Sequence, residues 1–239
     1  MHLFLTDTTE GPYATLPPDE SKHCIRVLRM QAGDELCVTS GDGTLCRALI
    51  VDPSPTACQV EIVSRQPRYG ARPYHLHIAV APPKNNARLE WFVEKAVEIG
   101  IDRITPLICQ HSERTTLHTD RLEKIALSAM KQSLQASLPR IDPPTPLLRL
   151  LDEPLPPCAA VCHCDGDNRL SLPQIYTPGT DTLVLIGPEG DFSPDEIGRC
   201  LSLGIKPVTL GANRLRTETA ALYALTALQV LNSQSSPLS

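Results

Sequence analysis

Leu210-Gly211-Ala212-Asn213-Arg214-Leu215-Arg216-Thr217-Glu218-Thr219-Ala220 ends an apolar strand on a glycine and opens a helix at Arg216; one strand–helix step earlier, Ile186-Gly187-Pro188-Glu189-Gly190 ends another strand in the same way. Two strands that stop on glycine present bare backbone at one sheet edge. The helix that follows adds free N–H groups, two threonine hydroxyls and a carboxylate in its first turn. These are the parts of a ligand cradle, and ligands of parallel α/β sheets bind at the carboxyl ends of the strands. Ile186–Gly190 lacks the glycine spacing of a dinucleotide fingerprint and the Gly-Lys-Ser/Thr ending of a phosphate loop, so it has no grip for a triphosphate. A plain turn is its other reading.

Outward from these blocks, strand and helix alternate. Tyr74–Ala81, Ile104–Cys109, Cys158–Cys164, Thr182–Gly187 and Lys206–Gly211 read as strands. One helix carries Leu89, Phe92, Val93, Ala96 and Val97 on a single face, with Trp91 read as packing beside Phe92. Another starts near Asp120 with Leu122, Ile125, Ala126 and Ala129 as its stripe. A short helix is expected at Leu147–Leu151 among clustered prolines. Ser193-Pro194-Asp195-Glu196 is a capping box with proline at the first helical position, and a last helix runs from about Thr217 to Leu231 before a frayed tail, Ser233–Ser239. The alternation predicts an α/β domain, a parallel sheet covered by helices.

The beginning of the chain differs. Glu35–Ser40, Thr44–Val51 and Gln59–Val63 alternate as strands, and Gly41-Asp42-Gly43 is a hairpin signal between the first two. A short helix is expected with Cys24, Val27 and Leu28 at i, i+3 and i+4, and with His23 in a structural role. Residues 1–70 therefore predict a small β-barrel or sandwich, joined by a linker at about 65–73 to a second domain at 74–239. The linker, Arg65-Gln66-Pro67-Arg68-Tyr69-Gly70-Ala71-Arg72-Pro73, holds three arginines and no acid, which suits both a solvated connection and a phosphate-contact surface.

The chain has 239 residues and a net charge of −5, which excludes a lysine-coated protein made for indiscriminate binding to nucleic acid. No run of about 18 apolar residues occurs, and Met1–Asp7 lacks a basic n-region and a long apolar h-region. The expectation is a protein neither secreted nor membrane-spanning. The nine cysteines are scattered through apolar segments, as reduced buried thiols of a cytoplasmic protein are. Cys162-His163-Cys164 lacks the C-x₂-C spacing and second ligand pair of a zinc site, so no metal is expected.

The pairing of "IGPEG" with "LG…LRTETA" resembles the RsmE family of SPOUT-class methyltransferases, which methylate N3 of a uridine in small-subunit (16S) ribosomal RNA. The resemblance spans nearly the whole chain. His23-Cys-Ile-Arg26-Val27-Leu28-Arg29, Gly33-Asp34 and Asp42-Gly43 are similar to the family's N-terminal run; Lys95-Ala-Val-Glu98-Ile-Gly100 resembles its "K…ELG" helix, and Gln132-Ser133 its "EQS" element. Four positions depart from the pattern. Asp191 stands where a third glycine is usual, Lys131 where "EQS" has glutamate, Gln135 where a basic residue often follows, and Asn213 where an arginine often precedes "LR".

The resemblance implies a SPOUT-type α/β domain with a trefoil knot, a preceding PUA-like β-barrel that binds RNA, and a homodimer. It implies S-adenosyl-L-methionine as cofactor, held by Ile186, Gly187, Pro188, Glu189, Gly190, Leu210, Gly211, Leu215, Thr217, Thr219 and Ala220. Arg216 is the expected stabiliser of the uracil anion, since a guanidinium stays charged and donates two parallel bonds; its other role is a salt bridge that fixes the loop. Glu218 and Glu189 are the nearest carboxylates to serve as base, and a first-turn position suits Glu218 better to capping or positioning. Arg26, Arg29, Arg65, Arg68, Arg72 and Arg88 are the candidate RNA contacts. A competing reading is a ribosome-assembly or RNA-binding factor of the same fold, its catalytic site weakened at Asp191 and Asn213.

Overall fold

The structure, a computed structural model, describes residues 2–164 and 169–234; the part of the expected frayed tail at 235–239 lies outside the described residues. The chain divides into two compact units, Met1–Ala71 with Leu127–Leu138, and Arg72–Ala126 with Pro139–Ser239.

The first unit contains β1 (Leu3–Leu5), β2 (Tyr13–Thr15), helix α1 (Pro18–Lys22), β3 (Glu35–Thr39), β4 (Leu45–Asp52) and β5 (Gln59–Gln66). The sheet order is β1-β3-β4-β5-β2, antiparallel except where β1 lies parallel to β3. Leu36, Val38, Ala48, Ile50, Val60 and Ile62 point into one core with Phe4, Leu16 and Cys24. On the other face of β3, Cys37 packs with Leu3, Leu45 and Ala136. Residues 127–138 join this unit because their backbone docks on the β3–β4 hairpin: Thr39 Oγ1 and Gly43 N–H donate to the Ala136 carbonyl at 3.0 and 2.9 Å, and Leu138 N–H donates to Gly41 O at 2.9 Å.

One expectation fails here for a geometric reason. After α1 the chain widens into a π-helical turn, His23–Val27, closed by Leu28 N–H donating to His23 O at 3.0 Å. Spacing i, i+3, i+4 shares a face only at α-helical pitch. In the wider turn Cys24 stays buried while Val27 swings out to 62% exposure.

The second unit contains β6 (Leu76–Val80), α2 (Asn86–Ile99), β7 (Arg103–Ile108), α3 (Asp120–Gln132, whose last residues pack in the first unit), β8 (Arg140–Ile141), β9 (Thr145–Pro146), α4 (Leu147–Leu150), β10 (Cys158–Cys162), β11 (Leu170–Ser171), α5 (Leu172–Ile175), β12 (Thr182–Ile186), α6 (Pro194–Ser202), β13 (Lys206–Thr209) and α7 (Thr217–Ser233). Every strand pair is parallel, in the order β11-β13-β10-β12-β6-β7-β8, with β9 also on β7. Helix α2 starts where Asn85 Oδ1 accepts the Ala87 N–H at 3.0 Å, and it stops at Gly100, whose φ of +100° suits glycine. Leu89, Phe92, Val93, Ala96 and Val97 are buried as the stripe predicts. Trp91 is not packing: one residue from Phe92 is about 100° round the helix, and the indole is 43% exposed. Helix α7 packs on α2, β6 and β12. Among the described residues no helix is long and apolar enough to cross a membrane.

A buried polar chain crosses β6 and β7. Thr105 Oγ1 donates its one proton to Asp142 Oδ2, so it accepts at 2.7 Å from His77 Nε2, which fixes that tautomer. Arg103 Nε donates to the same carboxylate at 2.6 Å. Burial, aided by Arg103, pushes the His77 pKa down to about 4. An unfolded histidine protonates near 6.5; between the two values only the unfolded chain takes up the proton, so this contribution is full above pH 6.5 and is lost as pH falls toward 4. Denaturant titrations should show stability dropping by about 2 kcal/mol between pH 7 and 5. His77→Gln, which keeps a donor for Thr105, should flatten that slope; a slope unchanged by the substitution would refute the assignment.

Candidate active site

A cavity of about 410 Å³ lies at the carboxyl ends of β10, β12 and β13, within the size range of small-molecule sites. The strands contribute Cys162, Ile186, Val208 and Thr209; the first glycine-bearing loop contributes Gly187, Pro188, Glu189 and Asp191; the second contributes Leu210, Gly211, Asn213, Arg214, Leu215 and Arg216, followed by Thr217 and Ala220 of α7. The structure thus brings together the sequence-predicted binding residues except Gly190 and Thr219, which are not among the lining. His163, Cys164 and Arg169, beyond the end of β10, complete it.

Three contacts hold the two loops to their neighbours. The buried Thr217 hydroxyl donates to Gly187 O at 3.3 Å, and Arg214 Nη2 donates to Glu189 O at 3.3 Å. Glu189 Oε1 accepts the Lys84 N–H at 3.2 Å. Glycine is needed at Gly187 for space, because a Cβ there would meet the Phe192 ring at 3.0 Å. At Gly211 conformation is the constraint: φ is +119°, and an added Cβ would meet no protein atom within 4 Å, leaving that side open to a ligand.

Asp191, the departure from a third glycine, has φ of +63°, the left-handed region that glycine occupies at no cost. Its carboxylate is put to use there. Oδ2 accepts the Cys164 N–H at 2.7 Å and Oδ1 accepts the Phe192 N–H at 2.8 Å, so Asp191 ties the loop after β12 to the end of β10. Gly190 serves the outer side of that turn, where a Cβ would meet His111 at 3.1 Å.

The cavity is not built for thiol chemistry. Burial pushes the Cys162 thiol up to about 12, with Asp191 adding to it, and burial with Asp191 also raises Cys164; neither is a thiolate at neutral pH. Arg216, in extended backbone before α7, lines the cavity exposed and has no ion-pair partner among the described residues, so the loop-fixing salt bridge is absent among them. Glu218 lies behind this surface. It is 7% exposed, its Oε1 is 3.7 Å from Arg88 Nε, and its Oε2 has no hydrogen-bond partner among the described residues.

The candidate RNA arginines divide by what they touch. Arg26, Arg29 and Arg68 are exposed and make no ion pair among the described residues. Arg65 donates from Nε to Thr9 O at 2.8 Å and from Nη2 to Gly11 O, pinning the loop before β2 to β5. Arg72 donates to Gly100 O at 2.6 Å and Asp102 Oδ2 at 2.7 Å and lies over the Tyr74 ring, a staple at the end of α2.

Residues 71–229 match the model of an RNA methyltransferase domain and residues 16–63 that of an RNA methyltransferase PUA domain. Ribosomal RNA small subunit methyltransferase E of Mycobacterium tuberculosis is 31% identical, over 97% of this chain and 92% of that protein. The crystal structure of a probable rRNA-methyltransferase from Porphyromonas gingivalis superposes with a TM-score of 0.92 at 40% identity, covering 99% of this chain and 100% of that one. A putative methyltransferase from Legionella pneumophila, solved with bound SAM, superposes with a TM-score of 0.84 at 27% identity, covering 96% and 97%.

The two roles of Asp191, backbone angle and hydrogen bond, are separable. Asp191→Ala loses both, whereas Asp191→Gly loses only the bond. Urea unfolding should find the alanine variant less stable than the glycine variant by about 1 kcal/mol, with both below the parent by about 1–3 kcal/mol. Equal stability of the two variants would mean that the left-handed angle costs nothing at this position.

Proposed function

The chain belongs to the RNA methyltransferase domain family, and from that membership we propose that it transfers a methyl group from S-adenosyl-L-methionine to N3 of a specific uridine in small-subunit (16S) ribosomal RNA. The observation that carries this reading is the cavity at the carboxyl ends of β10, β12 and β13, closed by the Leu210–Ala220 segment. Its fit to the cofactor rests on chemistry. Ile186, Val208, Leu210, Leu215 and Ala220 offer apolar surface to a nucleoside, Gly211 leaves its side open, and Arg216, Asn213 and the loop backbone offer polar partners.

When bound, the cofactor supplies an electrophilic methyl group on a sulfonium. The protein's task is alignment and stabilisation of the nucleophile. N3 of uracil attacks once its proton is gone, and the resulting charge spreads to the ring oxygens. We assign Arg216 to that anion: it stays protonated, borders the cavity and is committed to no carboxylate among the described residues. Glu189 is engaged by the Lys84 N–H and Glu218 by Arg88, so both carboxylates are assigned to positioning, and solvent takes the N3 proton.

The finer points of the fold and assembly belong to the same reading. A SPOUT-type trefoil knot is carried over from the resemblance of the Ile186–Gly190 and Leu210–Ala220 segments to that class. A homodimer is supported by Trp91 on α2 and Tyr223 and Val230 on α7, large apolar side chains left exposed on two helices packed together. The PUA domain is assigned to RNA through Arg26, Arg29 and Arg68, and a ribosomal substrate puts the protein in the cytoplasm. Asp191 does not favour a catalytically weakened assembly factor, because its conformation and carboxylate both serve the cavity.

Purified protein with methyl-labelled cofactor should label small ribosomal subunits, and mass mapping should find the methyl on N3 of one uridine. A methyl on ribose, or no transfer with intact cofactor binding, would refute the proposal. Arg216→Ala should cut turnover about 100-fold with cofactor affinity nearly unchanged by calorimetry; a large loss of affinity would make Arg216 a loop anchor instead.

A further inference from the structure

Beside the cofactor cavity, with Glu189 as a shared wall, a second cavity of about 630 Å³ opens at the first turn of α2. Its lining carries Lys84, Arg88 and Arg114 against Glu113 and Glu189, with Asn85 and Asn86 at the helix start. No aromatic or aliphatic side chain lines it, so it has no face on which a base would stack.

Both carboxylates are already engaged. Glu189 Oε1 accepts the Lys84 N–H, and Glu113 Oε2 lies 3.1 Å from Lys84 Nζ. The two arginines keep donors in hand. Arg114 uses Nη2 on Lys84 O at 3.0 Å. Arg88 meets Glu218 Oε1 through Nε at 3.7 Å, which leaves its paired Nη groups for a ligand. Glu218 is buried and lines neither cavity, so it restrains Arg88 from behind. The start of α2, a helix of 14 residues, adds its positive end, although Asn85 already accepts the Ala87 N–H through Oδ1 and the Arg88 N–H through its carbonyl. Two guanidiniums and a helix N-terminus fit a tetrahedral oxyanion, which a guanidinium fork binds through two parallel bonds.

We propose that this cavity is the phosphate subsite of the RNA substrate: Arg88 and Arg114 grip a backbone phosphate next to the target uridine, and Glu218 is the positioning residue of Arg88. The inference rests on the methyltransferase reading, and it divides the work between two cavities. Apolar surface for the cofactor lies on one side of Glu189, and charge for the RNA backbone lies on the other. A grip on the phosphate beside the target nucleotide limits how far the uracil ring can move relative to the cofactor cavity.

The test uses the full chain loaded with S-adenosyl-L-methionine and titrated with uridine and with uridine 5′-monophosphate. The parent should bind the monophosphate at least about tenfold more tightly. Arg88→Ala would strand the buried Glu218, so Arg114→Ala and Arg88→Lys carry the comparison; both should reduce the preference to about threefold or less while cofactor affinity stays within about twofold. For methyl transfer to small subunits, Arg114→Ala should raise KM about tenfold with kcat little changed, and the salt dependence of RNA binding should fall by about one counterion. Glu218→Gln should weaken the monophosphate and leave uridine binding unaltered. Equal binding of uridine and its monophosphate by the parent would overturn the subsite. So would loss of cofactor affinity in Arg114→Ala, which would give the cavity to the carboxylate of the cofactor. A parent that prefers the monophosphate through Arg114 yet transfers no methyl keeps the subsite and refutes the methyltransferase reading; transfer without the preference does the reverse.

Discussion

A buried hydroxyl joins the two loops on which the candidate site depends. Thr217 Oγ1 donates to Gly187 O at 3.3 Å, so the first residue of α7 is fastened to the residue that follows β12. Glycine at 187 makes the approach possible, since the space a Cβ would fill is held by the Phe192 ring. Once the helix start is fixed, Arg216 immediately before it and Ala220 one turn later face the same cavity, and Glu218 between them turns inward toward Arg88. One hydrogen bond thus sets the placement of an arginine at the cavity of the strand ends and of a carboxylate behind the neighbouring one. It resists opening of the pair of loops because a broken bond would leave a buried carbonyl without a donor.

What was legible in the sequence follows the range of the forces involved. Helix α2 and its buried stripe, the capping box of α6 and the parallel alternation are written in local periodicity and in cap chemistry. The cavity at the strand ends was legible because both loops follow strands with a glycine. The contribution of His163, Cys164 and Arg169 was not, since it depends on β10 lying between β12 and β13, and strand order is a long-range property. The π-helical turn at His23–Val27 defeated the α-helical phase that placed Val27 in a core. Arg72 looked free because its acceptors, Gly100 O and Asp102, lie a strand and a helix away. Charge alone did not separate it from Arg68, which remains exposed.

An acidic chain that handles RNA must place its positive charge locally, and part of that charge is tied up in ion pairs. Arg47, Arg103, Arg121 and Lys131 each face a carboxylate. Such pairs screen their own field, and exposed ones contribute little to stability. Arg216 at one cavity and Arg88 and Arg114 at the other keep guanidinium donors, and their place at a cavity separates them from the exposed Arg26, Arg29 and Arg68. Arg216 borders a cavity with apolar walls, where a given charge acts more strongly than on open surface, and Arg88 and Arg114 lie by the start of α2.

Departures from a family pattern are informative when a local partner answers them. Lys131, where glutamate is usual, pairs with Glu20, whose other oxygen accepts the Leu5 N–H, so the reversed charge is neutralised within the first unit. Asp191 takes a glycine angle at some cost and offsets it with two backbone N–H groups. Asn213 is different: it borders the cavity at the strand ends with no side-chain hydrogen bond to a protein group among the described residues, and Arg214 beside it donates to the Glu189 carbonyl. An uncommitted amide at a ligand cavity has both a donor and an acceptor to offer, where an arginine has donors only. The substitution therefore leaves room for recognition but changes its sign, from a fixed positive charge to a neutral group able to pair with either polarity. Of the departures, this is the one whose consequence falls on the ligand and not on the fold.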